Sequence, residues 1–172
     1  NDSTQGSIDS TAARIAKEQE QKSEAVLFTS LPVRQWDRWL DAKMNHIFML
    51  PVSRQGNVYK ALGPPRDLLK DLCLECPVPP FGGREDFALS STHFAASARP
   101  PLAQDEAWST NRHIFLWDLS ETVNGSTTYK CITESNVGYD THPKFSPDGS
   151  QLAWLSMETP QYEADAERIK LY

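Results

Sequence analysis

Residues 142–156 read HPKFSPDGSQLAWLS, and this stretch decides the fold because it predicts a β-hairpin. In its Ser-Pro-Asp-Gly turn, Pro147 fixes φ at the second turn position and Gly149 accepts the positive φ that closes a hairpin. Asp148, between them, can accept hydrogen bonds from nearby backbone amides. We therefore interpret Asp148 as a turn residue and not as a catalytic acid or base.

Short runs of β-type residues surround this hairpin from residue 25 onward. Examples are HIFMLPV at 46–52, HIFLWDL at 113–119 and RIKLY at 168–172, with turns carrying Pro, Gly, Asp or Ser between such runs. The 12 prolines, which outnumber the 8 glycines, argue against a mainly helical fold. The pattern predicts an all-β fold, and periodicity alone leaves a sandwich, a barrel and a propeller open.

The run TAARIAKEQEQKSE at residues 11–24 has a different character. It is rich in charge and in helix formers, and its apolar residues are few. This composition predicts a short, solvated helical excursion near the N-terminus.

An internal repeat narrows the choice of architecture. The string NHIFML at 45–50 recurs as RHIFLW at 112–117 and more weakly as ERIKLY at 167–172. A second pair of similar stretches recurs in the same order as the first, since residues 86–97 resemble residues 144–156. Each unit then contains two strands joined by a tight turn, a long loop and two further strands, which is the pattern of a four-stranded propeller blade. The alternative is that a β-rich sequence produces such echoes by accident.

The sequence therefore predicts an incomplete β-propeller of about two full four-stranded blades with partial flanking blades. We assign residues 1–24 to a polar, helical loop of a preceding blade and residues 25–172 to the propeller segment. The blade parts are expected at about 25–75, 76–135 and 136–172. Because a closed propeller needs ~4 to 8 blades of ~40 residues or more, we expect this chain to be a segment of a longer protein.

Charge and hydropathy exclude two classes of partner. The chain carries 17 Lys and Arg against 23 Asp and Glu, and the net charge of −6 is opposite to what binding nucleic acid or anionic lipid requires. Its longest apolar stretches fall far short of the ~20 residues that span a bilayer. We therefore expect neither a nucleic-acid partner nor a membrane span.

The cysteines and the asparagine triplets carry weaker signals. Cys73, Cys76 and Cys131 are odd in number, so any disulfide pairing leaves one thiol over or uses a partner elsewhere. The Cys-x-x-Cys pair resembles half a zinc site, but no second pair or His-x-x-x-His accompanies it, and we expect no metal or cofactor. Asn1 and Asn124 fit the acceptor pattern for glycosylation.

Five strings occur in the order found in one enzyme family. They are LPVRQWDRW (31–39), CPVPPFGGREDFALS (76–90), DEAWSTN (105–111), GYDTHPKFSPDGSQLAWLSME (138–158) and YEADAERI (162–169). The hairpin resembles the PD40-type propeller repeat. Together the strings resemble the dipeptidyl-peptidase V-like branch of the prolyl oligopeptidase family of serine peptidases.

The resemblance implies an N-terminal propeller and a C-terminal α/β-hydrolase domain with a Ser-Asp-His triad, which removes dipeptides from peptide N-termini. This chain contains no Gly-x-Ser-x-Gly nucleophile elbow, so we expect the catalytic domain to be absent from it and the segment to be inactive alone. At 90–92 the chain also departs from the family, because Ser-Ser-Thr replaces the Pro-Asp-Gly turn.

The segment is then expected to gate substrate access and to help anchor the peptide N-terminus. The expected partners are peptide substrates, the hydrolase domain and the remaining blades. The resemblance includes secreted and periplasmic enzymes, which together with the two acceptor triplets implies an extracellular location. The alternative is a non-enzymatic β-propeller module that binds a protein partner.

Two loops that should leave the sheets opposite the Ser-Pro-Asp-Gly turn carry the candidate anchor for an α-ammonium group. A carboxylate assisted by an amide and framed by aromatic rings binds such a cation. The candidates are Glu106, Trp108, Asn111, Tyr162 and Glu163. Glu85 and Asp86, after two glycines, form a second candidate pair. The alternative is that these residues are solvated loop acids and aromatic side chains packed on the blades.

Overall fold

The computed structural model describes residues 8–25, 34–35, 37–39, 44–70, 72–99, 108–119 and 129–172. These residues are mostly β-sheet, with one short helix, α1 (Ile8–Gln19). The strands are β1 (Arg34–Gln35), β2 (Arg38–Trp39), β3 (Phe48–Met49), β4 (Val52–Gln55), β5 (Val58–Ala61), β6 (Arg66–Asp67), β7 (Phe87–Leu89), β8 (His93–Ala98), β9 (His113–Asp118), β10 (Tyr129–Cys131), β11 (Asp140–Phe145), β12 (Leu152–Ser156) and β13 (Arg168–Leu171).

Two antiparallel sheets form the centre of the structure. One has four strands in the order β10-β9-β8-β7 and the other has three in the order β11-β12-β13, so each strand pairs with the next along the chain. The longest pairing joins β8 to β9, from His93 opposite Asp118 to Ala98 opposite His113. Both of these strands have buried side chains on both faces. This pattern is typical of a strand that is covered by other parts of the protein on both sides.

The first core lies on one face of the four-stranded sheet. Phe94 of β8 packs there with Phe115 and Trp117 of β9, and the Phe94 and Trp117 ring centroids are 5.1 Å apart. Leu68 and Leu69, which follow β6, close this core from outside the sheet. The segment before the sheet is thereby fixed to it by buried apolar area.

The second core lies on the opposite face and joins the two sheets. Ala95 and Ile114 of the four-stranded sheet pack there with Leu152 and Trp154 of β12. Because side chains along a strand alternate between faces, β8 and β9 can serve both cores at once. The three-stranded sheet therefore stacks directly on the four-stranded sheet.

The hairpin between β11 and β12 has the turn that its sequence predicts. Gly149 has a φ of +73°, and Asp148 Oδ1 accepts hydrogen bonds from the Ser146 hydroxyl and the Ser150 backbone amide. These bonds hold the pKa of Asp148 at about 2. A Cβ on Gly149 would lie 3.3 Å from the Ser90 Cβ, so this turn packs against the turn between β7 and β8. We call this end of the sheets the turn end.

The observed architecture agrees with the prediction in its coarse features and differs in detail. The chain is mostly β-sheet with a short helix, which begins and ends earlier than the polar run 11–24 suggests. Of the two full four-stranded blades expected, the described residues contain one four-stranded sheet and one three-stranded sheet. Residues 44–70 form only the two-stranded pairs β3–β6 and β4–β5, and the sheets are small and do not close.

Candidate functional site at the loop end

The two long loops leave the same end of the stacked sheets, which we call the loop end. Loop 99–112 joins β8 to β9, and loop 157–167 joins β12 to β13. Their bases meet at Tyr139, which forms a parallel bridge with Arg112. The Tyr139 carbonyl also accepts a hydrogen bond from the Met157 amide at 2.8 Å. Backbone contacts therefore hold the bases of the two loops side by side.

Arg112 is a buried cation beneath this junction, with only 6% of the residue exposed. Its Nη1 donates to Asp86 Oδ2 at 3.3 Å, and its Nη2 donates to the Val78 carbonyl at 3.1 Å. The guanidinium carbon lies 4.9 Å from the centroid of the Tyr139 ring, in cation–π contact. A buried charge needs such partners, and here they tie together β9, the segment before β7 and the start of β11.

Asp86 is the buried anion of this pair and ends a single 3-10 turn before β7. Its carboxylate also accepts hydrogen bonds from the Val78 amide and the Thr141 hydroxyl, each at 3.4 Å. Burial raises the pKa of the Asp86 carboxyl, and the Arg112 guanidinium opposes that rise. The Asp86 carboxylate is thus already bound by groups of the protein itself. The neighbouring Glu85 is only half-buried.

Gly82 allows the Asp86 carboxylate to reach its partners. A Cβ at position 82 would lie 2.5 Å from both the Val78 nitrogen and the Val78 oxygen, and closer still to Asp86 Oδ2. The Gly82 amide donates to the Val78 carbonyl at 2.9 Å. The Gly-Gly-Arg-Glu-Asp string therefore has a structural explanation in this close approach.

Asn111 lies immediately before Arg112, at the end of its loop. Its Nδ2 is 3.3 Å from His113 Nε2, and His113 Nδ1 is 3.4 Å from the Thr133 hydroxyl. Burial lowers the pKa of His113, which favours the neutral ring at neutral pH. Asn111 Oδ1 is a buried acceptor, without a hydrogen-bond partner in the part of the chain that the structure describes.

Asp165 organises loop 157–167. Its Oδ2 accepts hydrogen bonds from the backbone amides of Glu158 at 3.0 Å and Thr159 at 2.9 Å. These bonds hold the pKa of Asp165 at about 2, so the side chain is ionised at neutral pH. The Asp165 amide donates to the Tyr162 carbonyl at 3.0 Å, which fixes the backbone of the segment projecting from the sheets.

Four predicted anchor residues lie in the described parts of these loops. Trp108 is 76% exposed and Tyr162 is 54% exposed, so both rings face solvent. Glu163 is exposed and has no ion-pair partner among the described residues, whereas Asn111 is half-buried. The structure brings the loop bases together, but within the described ranges no hydrogen bond or ring contact joins the four side chains across the loops. Their anchoring role stays a prediction.

Three other predicted positions lie outside the described residues. They are the anchor candidate Glu106 and the glycosylation candidates Asn1 and Asn124.

Cys73, Cys76 and Cys131 are described and form no disulfide with one another. Burial raises the pKa of the Cys76 thiol, which keeps this thiol protonated at neutral pH.

Sequence reasoning missed Arg112 and Tyr139, which connect the loop bases. Arg112 was recognised only as part of the repeated string before β9, where a charged residue is expected at the surface.

Within the described ranges, no group of three or more His, Cys, Asp and Glu residues is arranged to hold a metal ion. Within those ranges also, no helix has the length and apolar character needed to cross a membrane.

Comparison with known proteins identifies relatives among peptidases. Dipeptidyl-peptidase 5 of Porphyromonas gingivalis is 33% identical over 150 residues, which are 86% of this chain and 20% of that protein. Dipeptidyl-peptidase 5 of Schizosaccharomyces pombe is 30% identical over 154 residues, covering 87% of this chain and 22% of that protein. The Trichophyton equinum protein of the same name is 32% identical over 166 residues, covering 91% of this chain and 22% of its own length.

The relatives named here are all called dipeptidyl-peptidase 5. The chain is homologous to a segment of dipeptidyl-peptidase 5, which confirms the resemblance inferred from its ordered motifs. It spans about a fifth of the length of the curated relatives that it matches. No protein-family model matches the chain, and no solved structure matches it.

Proposed function

We propose that this chain is a non-catalytic β-propeller portion of a secreted serine-type dipeptidyl peptidase, where it gates substrate access and helps to hold the peptide N-terminus. The observation that carries the proposal is the meeting of two long loops at Tyr139, in a chain homologous to dipeptidyl-peptidase 5. No Gly-x-Ser-x-Gly elbow is present in the sequence, so the nucleophile belongs to another part of the whole protein.

The propeller is supported by equivalent faces on the two main sheets. Ala95 and Ile114 are the residues by which the four-stranded sheet holds the three-stranded one. In the internal repeat their equivalents are Ala153 and Ile169, which lie on the opposite face of the three-stranded sheet from Trp154. Ile169 is 73% exposed. The outer face of the three-stranded sheet thus resembles the face of the four-stranded sheet on which it packs. A further sheet can pack on that outer face in the same way.

The free edge of β13 supports the same arrangement. Tyr172 exchanges both backbone hydrogen bonds with Leu152, so this is a hydrogen-bonded pair. Because such pairs alternate along an antiparallel ladder, the peptide groups of Ile169 and Leu171 point away from β12. They are oriented to pair with a fourth strand, as β9 pairs with β10 in the four-stranded sheet.

The anchor for the peptide N-terminus combines an acid with an amide and aromatic rings. In loop 157–167, Asp165 is bound to backbone amides and Glu158 is paired with Lys170. Of the two remaining acids, Glu167 adjoins β13, and Glu163 lies in the middle of the loop, where it can meet a ligand cation. Asn111 Oδ1 adds an acceptor without a partner among the described residues. An α-ammonium group would donate to the exposed Glu163 carboxylate, with an exposed ring beside it, and a shift of the loop base would open the buried Asn111 Oδ1 to it.

The test uses the intact protein that contains this chain. Glu163→Gln removes the charge while nearly keeping the shape, and Asn111→Ala removes the acceptor. If a desolvated charged hydrogen bond of ~1.5 to 3 kcal/mol is lost, kcat/KM on free-amine dipeptidyl substrates should fall roughly ten- to a hundredfold. Glu106→Gln is tested in the same way, because that loop acid is the other carboxylate candidate.

Glu167→Gln is the matched control, because it changes an exposed acid at the end of the same loop. It should alter kcat/KM less than about twofold, as expected of a solvated surface acid. N-acetylated substrates should be poor for the native enzyme and barely affected by the substitutions. The anchor is wrong if the Glu163, Glu106 and Asn111 variants all retain native kcat/KM on free-amine substrates.

A fluorophosphonate probe tests which part of the intact protein carries the nucleophilic serine. It should label a serine of the intact protein and no serine of residues 1–172 expressed alone. An intact protein that neither reacts with the probe nor releases dipeptides would favour the alternative, a propeller module that binds a protein partner. Labelling of a serine within this segment would contradict its non-catalytic role.

A further inference from the structure

A β-hairpin between β3 and β6 stands apart from both cores. Among the residues that the structure describes, its strands β4 and β5 pair only with each other, in a two-stranded sheet. Every residue of both strands is exposed except Ser53, which is half-buried. Within the described residues, no side chain of the hairpin belongs to either apolar core. We call residues 50–62 the hairpin arm.

The hairpin arm exposes apolar side chains on both of its faces. One face carries Val52 and Tyr59, which are 48% and 65% exposed. The other carries Val58 and, one position beyond β5, Leu62, which are 59% and 67% exposed. An isolated two-stranded hairpin is marginally stable in water, and contiguous exposed apolar surface usually marks an interface. Both arguments indicate that another surface covers the hairpin arm.

The charge of the arm indicates the chemistry of that surface. The arm, residues 50–62, contains Arg54 and Lys60 and no Asp or Glu. The rest of the chain therefore holds 17 − 2 = 15 basic against 23 acidic residues, a net charge of −8. Arg54 lies on the face of Val52 and Tyr59, and Lys60 on the other face, so each face combines a cation with apolar groups.

We propose that the hairpin arm docks on an acidic surface of a second copy of the same protein. Two arms repel each other because both are basic, so the contact joins an arm to another region of the partner copy. The chain outside the arm supplies that complement, with an excess of eight acids. The apolar side chains contribute the buried area of the contact, and the cations select its acidic partner surface. This contact does not depend on the proposed peptidase function.

Sedimentation velocity of the intact protein measures the association directly. The native protein should dimerise in 50 mM salt, and 0.5 M salt should weaken the association severalfold because exposed charge pairs are screened. Arg54→Glu/Lys60→Glu should weaken it at least tenfold. Lys17→Glu/Lys22→Glu, on and just after α1, is the matched control, because it makes the same charge change at exposed positions outside the arm.

Hydrogen exchange supplies a second measurement that does not depend on the variants. Amides of residues 52–61 should become more protected as the concentration of native protein rises through the dimerisation range. A native protein that stays monomeric, or an arm variant that associates as the native protein does, would overturn the proposal. Equal weakening by the control pair would do the same, because net charge alone would then explain the effect.

Discussion

The indole N–H of Trp154 donates a hydrogen bond to Asp140 Oδ1 at 3.0 Å, and both residues are buried. Asp140 begins β11 and Trp154 lies in β12, so the bond crosses the hairpin that contains the Pro-Asp-Gly turn. Asn136 donates to the other carboxylate oxygen, also at 3.0 Å. The carboxylate thereby stabilises the strand start that lies next to the loop end.

Trp154→Phe should destabilise the protein because it leaves one oxygen of the buried Asp140 carboxylate without its donor. The expected cost is about 1–3 kcal/mol, together with some lost packing. Urea unfolding of the intact protein, followed by tryptophan fluorescence, measures this loss. Trp108→Phe is the control and should have little effect, because Trp108 is 76% exposed. Equal stability of the two variants would contradict the assigned role of the hydrogen bond.

Gly82→Ala should disrupt the segment before β7. The new Cβ would meet the Val78 backbone at 2.5 Å, and backbone atoms cannot move aside as the end of a flexible side chain can. We expect a loss of more than about 2 kcal/mol, measured by urea unfolding. Gly63→Ala is the matched control, since a Cβ there meets nothing within 4 Å, and its stability should stay close to that of the native protein. An unchanged Gly82 variant would refute the close-approach argument.

Arg112→Met should be among the most damaging single changes, because it leaves Asp86 buried without its cation. Breaking a buried pair costs about 3–5 kcal/mol. The double variant Arg112→Met/Asp86→Asn should recover part of that loss, since no unpaired charge remains. A double-mutant cycle on urea-unfolding free energies tests this, with Arg84→Met as the exposed control. If the double variant is no more stable than Arg112→Met alone, burial of an unpaired charge is not the cause.

The low pKa of Asp165 predicts how acid affects loop 157–167. Its pKa is about 2 in the folded protein against an ordinary value of 3.8, so the unfolded chain binds more protons between pH 4 and 2. The stabilisation is therefore present above pH 4 and is lost as pH falls towards 2. Asp165→Asn should reduce this decline in the thermal midpoint, whereas Glu167→Gln should leave it unchanged. An identical acid profile for Asp165→Asn and the native protein would contradict the prediction.

The exposed edge of β13 predicts self-association of residues 1–172 expressed alone. The peptide groups of Ile169 and Leu171 have no strand partner on their outer side among the described residues, and these residues are 73% and 67% exposed. Such an edge can template pairing with another chain. Ile169→Lys/Leu171→Lys should reduce light scattering of that product severalfold, because charge on an edge strand opposes such pairing. Val137→Lys, at another exposed apolar position, should reduce it less. A monomeric, cooperatively melting native segment would refute this prediction.

Local signals in the sequence predicted the strands well. The runs HIFLWDL, QLAWLS and RIKLY become β9, β12 and β13, because each combines β-type residues with nearby turn residues. The Pro-Asp-Gly turn was equally predictable, since Ser146, Asp148 and Ser150 bond within a few residues of one another. The number of strands in each sheet was harder to predict. Hydrophobic periodicity is read over a short stretch of sequence, and strands that pair with each other lie further apart than that.

The candidate site was predictable only as a pair of loops. Their placement follows from strand alternation, which the sequence shows. The buried contact between Asp86 and Arg112 joins residues 26 positions apart, and no local pattern records which distant charge a buried residue meets. Tyr139 was missed for the same reason, because its role is a backbone bridge to Arg112 and a ring beneath a guanidinium.

The order of strands within each sheet bears on how the protein forms during synthesis. Since β7 to β10 pair consecutively, the four-stranded sheet can assemble from contacts between neighbouring stretches of the nascent chain, and such local topologies fold fast. Its Ala95 and Ile114 face is then uncovered until β12 emerges. The three-stranded sheet then covers this face and exposes its own outer face, which carries Ile169. Assembly of the two sheets would therefore follow the order of their strands along the chain.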